Sequence, residues 1–196
     1  MRIVISGTHA SGKSTLISDF ALAHPEFEVH GDPFDLIESD SDGPDAGTFL
    51  AQLRASASRL TELRSGVRAI VERGPLDFVA YLAALDELGR SGGAVGLIRR
   101  GAAITTAAMQ HVDLLVVLPL SSRDRIEVPD DEDPELREAM NDILLELVDD
   151  SDMVGDAVVV EIAGDPASRL AQLEAAYVRT LSDAPTGHDP SGRSRT

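Results

Sequence analysis

Gly7-Thr8-His9-Ala10-Ser11-Gly12-Lys13-Ser14-Thr15 is the stretch of this 196-residue chain whose residue types and spacing most clearly specify chemistry. It matches G-x-x-x-x-G-K-[ST], in which backbone N–H groups, a lysine and a hydroxyl surround a phosphate chain. Gly7 and Gly12 allow the backbone angles that turn successive N–H groups toward one centre. Lys13 is expected to reach the β- and γ-phosphates of ATP, and the Ser14 hydroxyl to ligate Mg²⁺. Thr8, His9, Ala10, Ser11 and Thr15 complete the expected nucleotide-binding set, and His9, at a permissive position, is given no catalytic role. Of the 17 basic residues, Lys13 is the single lysine, and the other 16 are arginine. A slim point charge threads between phosphates where a planar guanidinium fits poorly.

A second constellation is Glu72-Arg73-Gly74-Pro75-Leu76-Asp77. A carboxylate at the end of a buried strand is the usual partner of a phosphate-loop serine around Mg²⁺, which gives Glu72 a metal role beside Ser14. Arg73 supplies a fixed cation for a phosphate or a substrate hydroxyl. The competing reading is a solvated Glu-Arg pair where a strand leaves the core.

Such a loop works only between a strand that stops abruptly and a helix that starts at once. Residues 2–6 form a β-branched run that predicts a buried strand, and Leu16, Ile17, Phe20 and Ala21 follow at helical spacing. Residues 27–29 predict a weaker strand, and residues 31–47, dense in Asp, Ser, Pro and Gly, predict mostly loop. Phe49, Leu53, Ala57, Leu60 and Leu63 trace a helix face. A third strand is expected over 67–71, ending at Glu72, with Pro75 in the first turn of the next helix. Ser91-Gly92-Gly93 breaks the chain before a helix over 95–110. Strands are expected at 112–118 and 157–162, each followed by an amphipathic helix, the first through Leu136 to Leu147 and the last from Pro166. Five strands alternating with helices predict an α/β fold, a mainly parallel sheet with helices on both faces. Ligands in such sheets bind at the strand carboxyl ends, here just after Ser6, Val29, Val71, Leu118 and Ile162. One domain is expected over 1–182, followed by a disordered Pro-, Gly- and Ser-rich tail at 183–196.

Composition narrows the function. With 34 acidic against 17 basic side chains the formal charge is −17, which argues against a general nucleic-acid binder or a polybasic membrane anchor. The acidity itself reads as solubility or a salt-rich interior. No apolar run approaches the ~18 residues of a membrane-spanning helix. The first residues do not read as a signal peptide, and a cytoplasmic protein is expected. There is no cysteine, hence no disulfide framework or thiolate metal site. The histidines at 24, 30, 111 and 188 lack metal-ligand spacing and are read as structural or surface residues. A guanine-reading Asn-Lys-x-Asp motif is impossible without a second lysine, which excludes the common GTPase type.

Together, the phosphate loop and the 72–77 motif resemble the P-loop nucleoside and nucleotide kinase superfamily. The likeness is to small ATP-binding domains such as deoxynucleoside kinases and bacterial ribosylnicotinamide kinase. The resemblance implies a P-loop NTPase three-layer fold, ATP and Mg²⁺ as cofactors, and a small-molecule acceptor. It also casts Asp32, in Gly31-Asp32-Pro33-Phe34 after the second strand, as general base, with Asp where the superfamily commonly has Glu. A lid is implied near residues 119–134, where Arg123 and Arg125 would lie over the phosphates; pairing with Asp124, Glu127 and the acidic run 130–133 is the equal alternative. The Ala163-Gly164-Asp165-Pro166 loop resembles the segment that closes over adenine through backbone contacts, Gly164 included. Arg99 and Arg100 are read as helix-surface residues. Phe34, Phe78 and Tyr81 are candidate stacking rings, equally suited to the core. The expected activity is ATP-dependent phosphoryl transfer to a nucleoside-like or nucleotide-like acceptor. The alternative is a nucleotide-binding switch or ATPase that signals to a protein. Neither the acceptor nor the oligomeric state is legible.

Overall fold

The computed structural model describes residues 1–32, 46–90, 95–120 and 133–183. Among these, five strands form one parallel sheet in the order β2-β3-β1-β4-β5. The strands are β1 Arg2–Ser6, β2 Glu28–His30, β3 Ala69–Glu72, β4 Leu114–Val117 and β5 Val158–Glu161. The helices are α1 Lys13–Ala23, α2 Ala46–Glu62, α3 Pro75–Glu87, α4 Val95–Met109, α5 Pro134–Val148, α6 Ser151–Val154 and α7 Pro166–Asp183.

Side chains alternate across a strand, and here both faces are buried. Val4, Val71, Leu115 and Val117 face a core built with α2, α3, α4 and α5. Ile3, Ile5, Ile70, Leu114 and Val116 face the opposite core, which holds Leu16, Ile17 and Phe20 of α1 and Leu173 and Tyr177 of α7. That makes three layers. Because α1 leaves β1 toward one face and α3 leaves β3 toward the other, a crevice opens between two neighbouring strand ends.

The structure trims several expected elements. The second strand begins at Glu28 because Phe27 turns into the aromatic cluster of Phe20, His24 and Tyr177. His24, stacked 4.4 Å from Phe20, is structural, as expected. The short α6 was not expected; the Asp150 carboxylate caps it by accepting from the Asp152 N–H. Asp133, read as part of an acidic run, instead caps α5 and ion-pairs with Arg90. The last helix runs through Asp183, one residue into the expected tail, and 184–196 lie outside the described residues.

Candidate active site

β1 ends at Ser6, and the chain turns at Gly7 with φ +148°. A Cβ there would meet Ser11 Oγ at 2.8 Å and the Leu118 carbonyl at 2.9 Å, so this position admits only glycine. Gly12, at φ +89°, caps α1. The first-turn N–H groups of that helix and its positive end then face the loop's interior. Lys13 is buried, and its Nζ donates to the Thr8 carbonyl at 2.7 Å. The Ser14 hydroxyl donates to Glu72 Oε1 at 2.8 Å, joining the loop to the end of β3.

Glu72 and Arg73 are both buried, which removes the reading of a solvated pair. Arg73 adopts the left-handed φ of +63°, rare for a non-glycine residue. Its N–H donates to the Ile5 carbonyl, and its own carbonyl accepts from Ser56 Oγ of α2. These bonds hold the strained turn in place. The Arg73 side chain runs back across the crevice, and Nε donates to Asp32 Oδ2 at 2.8 Å. Its guanidinium lies 5.4 Å from the Tyr81 ring centroid and 5.9 Å from that of Phe78.

Asp77 ties the two halves together. Its fully buried carboxylate accepts from Ser6 Oγ at 2.6 Å, the Gly7 N–H at 2.8 Å and the Gly74 N–H at 2.9 Å. A cavity of about 150 Å³ opens beside this network, lined by His9 to Ser14, Asp32, Glu72 and Arg73.

The charges explain each other. Burial pulls the Lys13 ammonium from 10.5 down to about 7; Arg73 adds to the effect, and Asp77, Asp32 and Glu72 oppose it. Burial likewise raises the Asp77 carboxyl against the pull of Arg73. Arg73 loses solvation too, but Tyr81, Asp32 and Asp77 outweigh that loss and keep it charged.

His9 to Ser14, Glu72, Asp32 and Arg73 therefore surround one cavity, whose lining does not include Gly7, Thr8 or Thr15. Gly164, at φ +108°, follows β5 in the loop before α7, away from that cavity's lining. Phe78 and Tyr81 are core residues, and the Tyr81 hydroxyl accepts from the His9 N–H. Arg99 and Arg100 are exposed on α4. Arg123, Arg125 and Phe34 lie outside the described residues.

Sequence reasoning assigned no role to four residues, three of which bond to the loop. Asp77 was visible in the motif, and Arg137 and Arg169, which bond to loop carbonyls, carried no local signal. Gln52 is the fourth. It sits on α2 at i+3 from Phe49, which stacks on Tyr81 at 4.7 Å, and at i−4 from Ser56. Its amide is buried, and among the described residues neither Nε2 nor Oε1 has a hydrogen-bond partner.

Mg²⁺ keeps several waters and binds through one or two protein oxygens plus substrate phosphates. The Ser14 hydroxyl and Glu72 carboxylate at the cavity edge fit that habit. Among the described residues no group of three His, Asp or Glu side chains could hold a metal alone.

No protein-family model and no curated protein matches the sequence. Solved structures do. Thymidylate kinase from Candida albicans superposes with a TM-score of 0.65 at 18% identity, covering 92% of both chains. Deoxyadenosine kinase from M. mycoides, bound to dCMP and dCDP, gives 0.64 at 15% identity over 91% of this chain and 100% of its own. The fold is that of the P-loop nucleoside kinases. NadR in complex with NR shares it, with a TM-score of 0.65 at 15% identity over 92% of this chain, which spans about half of NadR's length. As in any P-loop kinase fold, the loop after β1 sits at the carboxyl edge of the sheet, next to the ends of β3 and β4. No helix among the described residues is long and apolar enough to cross a membrane.

Proposed function

We propose that this chain is an ATP-dependent phosphotransferase acting on a small nucleoside-like or nucleotide-like acceptor. The observation that carries the reading is the single cavity in which a phosphate loop meets the Asp32–Arg73 pair. A nucleotide-dependent switch has no need of an acceptor pocket there.

In this reading Lys13 leaves the Thr8 carbonyl and, with the loop N–H groups, holds the ATP phosphates. Ser14 and Glu72 would hold Mg²⁺, which would supply positive charge to the phosphate oxygens. Asp32 accepts the proton of the acceptor hydroxyl. Arg73, whose Nε is committed to Asp32, aims that carboxylate. The orphaned Gln52 amide, near Phe49 and Tyr81, is a polar group able to read an acceptor that carries donors and acceptors on a flat ring. Gly164 contributes a backbone contact to adenine, and Arg123 and Arg125 serve as lid arginines over residues 119–134 of a domain spanning 1–182.

ATP consumption measured with and without a panel of nucleosides, nucleotides and other small alcohols tests the reading. Consumption that rises with one acceptor class, and vanishes in Lys13→Ala, is the expected result. Hydrolysis that ignores every acceptor and responds only to a protein would replace this reading with that of a nucleotide-dependent switch.

A further inference from the structure

The outer rim of the phosphate loop carries an unusual set of contacts. Four successive backbone carbonyls are each met by a basic side chain. Thr8 O accepts from Lys13 Nζ at 2.7 Å, His9 O from Arg137 Nε at 3.0 Å, Ala10 O from Arg137 Nη2 at 3.3 Å, and Ser11 O from Arg169 Nη1 at 2.7 Å. Arg137 comes from α5 and Arg169 from α7, on opposite faces of the sheet, so two layers grip one loop.

In a planar trans peptide, the C=O of one residue and the N–H of the next point in opposite directions. Fixing the carbonyls of His9, Ala10 and Ser11 outward therefore fixes the N–H groups of Ala10, Ser11 and Gly12 inward. Those three N–H groups have no acceptor among the described residues. Ala10 also sits at φ +50°, a left-handed angle that an ungripped loop would tend to relax.

We propose that Arg137 and Arg169 are positioning residues that clamp the loop's carbonyls and thereby aim the Ala10, Ser11 and Gly12 amides at a nucleotide's phosphates. The clamp rests on the reading of this loop as a nucleotide site. It works through hydrogen-bond donation, and the guanidinium need not touch the nucleotide. Binding then finds the amides already oriented and does not have to order them, a saving in affinity of the kind preorganisation gives.

The chemistry of the Arg137 contact makes it separable. In Arg137→Gln the amide Nε2 occupies the position of Arg Nε, the atom that bonds His9, while the charge is gone. Arg137→Met has similar reach and no donor. Arg137 is only half-buried, so both variants should fold, with thermal melts close to that of the parent chain. ADP and ATP are titrated calorimetrically into all three proteins with Mg²⁺ present. The expected result is a loss of roughly tenfold for both nucleotides in Arg137→Met, the scale of one charge-assisted hydrogen bond. Arg137→Gln should stay within about threefold of the parent. Amide exchange at Ala10 and Ser11 should quicken in Arg137→Met without nucleotide. Parent-like affinity in Arg137→Met would overturn the clamp. So would a Gln variant as weak as the Met variant, or a loss confined to ATP, since either assigns the effect to charge on the γ-phosphate. Phosphate transfer is not read here, so a chain that binds nucleotide tightly but transfers to no acceptor sinks the kinase reading and leaves the clamp intact.

Discussion

Lys13 titrates far from where a lysine should, and because it is the sole lysine the effect can be seen directly. Lowering its value from 10.5 to about 7 costs the charged form on the order of 5 kcal/mol, at about 1.4 kcal/mol per pH unit. Burial supplies most of this, with Arg73 second, and Asp77, Asp32 and Glu72 recover part. The unfolded chain therefore holds more protons than the folded one between about pH 7 and 10.5, so Lys13 favours folding increasingly as pH rises through that window. Nucleotide binding has the opposite slope. Phosphates beside Nζ restore the charged form, so binding takes up a proton above pH 7 and weakens by up to about tenfold per pH unit. With lysine labelled at Cε, the chain gives one side-chain NMR signal besides free label, and no assignment is needed. The expected midpoint is near 7 without nucleotide and well above it with MgADP. Calorimetry near pH 8.5 in buffers of different ionisation enthalpy should report close to one proton taken up per nucleotide. A midpoint near 10.5 in the free protein, or no proton uptake, would refute the burial argument.

Glu72→Gln keeps a partner for Ser14 but weakens a metal ligand; it should raise the Mg²⁺ concentration for half-maximal turnover at least about tenfold while metal-free ADP binding holds. Asp32→Asn should lower kcat by about 10²–10⁴-fold with the KM for ATP nearly unchanged, as removal of a general base does. Gln52→Leu removes a buried amide that has no partner among the described residues, so its Tm should equal or exceed the parent's while the acceptor KM rises; a large drop in Tm would mean the amide is satisfied in the free protein. Leu53→Ala, in the α2–α3 core, should cost about 2–5 kcal/mol in denaturant unfolding without moving the KM for ATP.

By itself the sequence determined the local parts of this protein. The loop from Gly7 to Thr15, the strand before it and the helix after it are contiguous, and their backbone demands are written in glycine, lysine and hydroxyl at fixed spacing. The central strands β1, β3 and β4 were legible because parallel strands buried on both faces read as apolar runs, and the expected ends overran the observed strands by one or two residues, as at Phe27, which packs sideways. Glu72, Arg73 and Asp32 were legible as strand-end residues.

Only the tertiary structure decided what those residues touch. Arg73 does not point into solvent; its left-handed turn sends Nε onto Asp32, a partner from another strand's end. Asp77 fastens the loop to the β3 turn across 70 residues of chain, and Arg137 and Arg169 reach loop carbonyls 128 and 158 residues away. No local pattern encodes such contacts. They follow from a sheet that sets β1 between β3 and β4 and from helices that cover both of its faces. The sequence settled which residue types stand in the loop, and the fold settled which way they face, because direction is a property of packed elements and not of spacing along a chain.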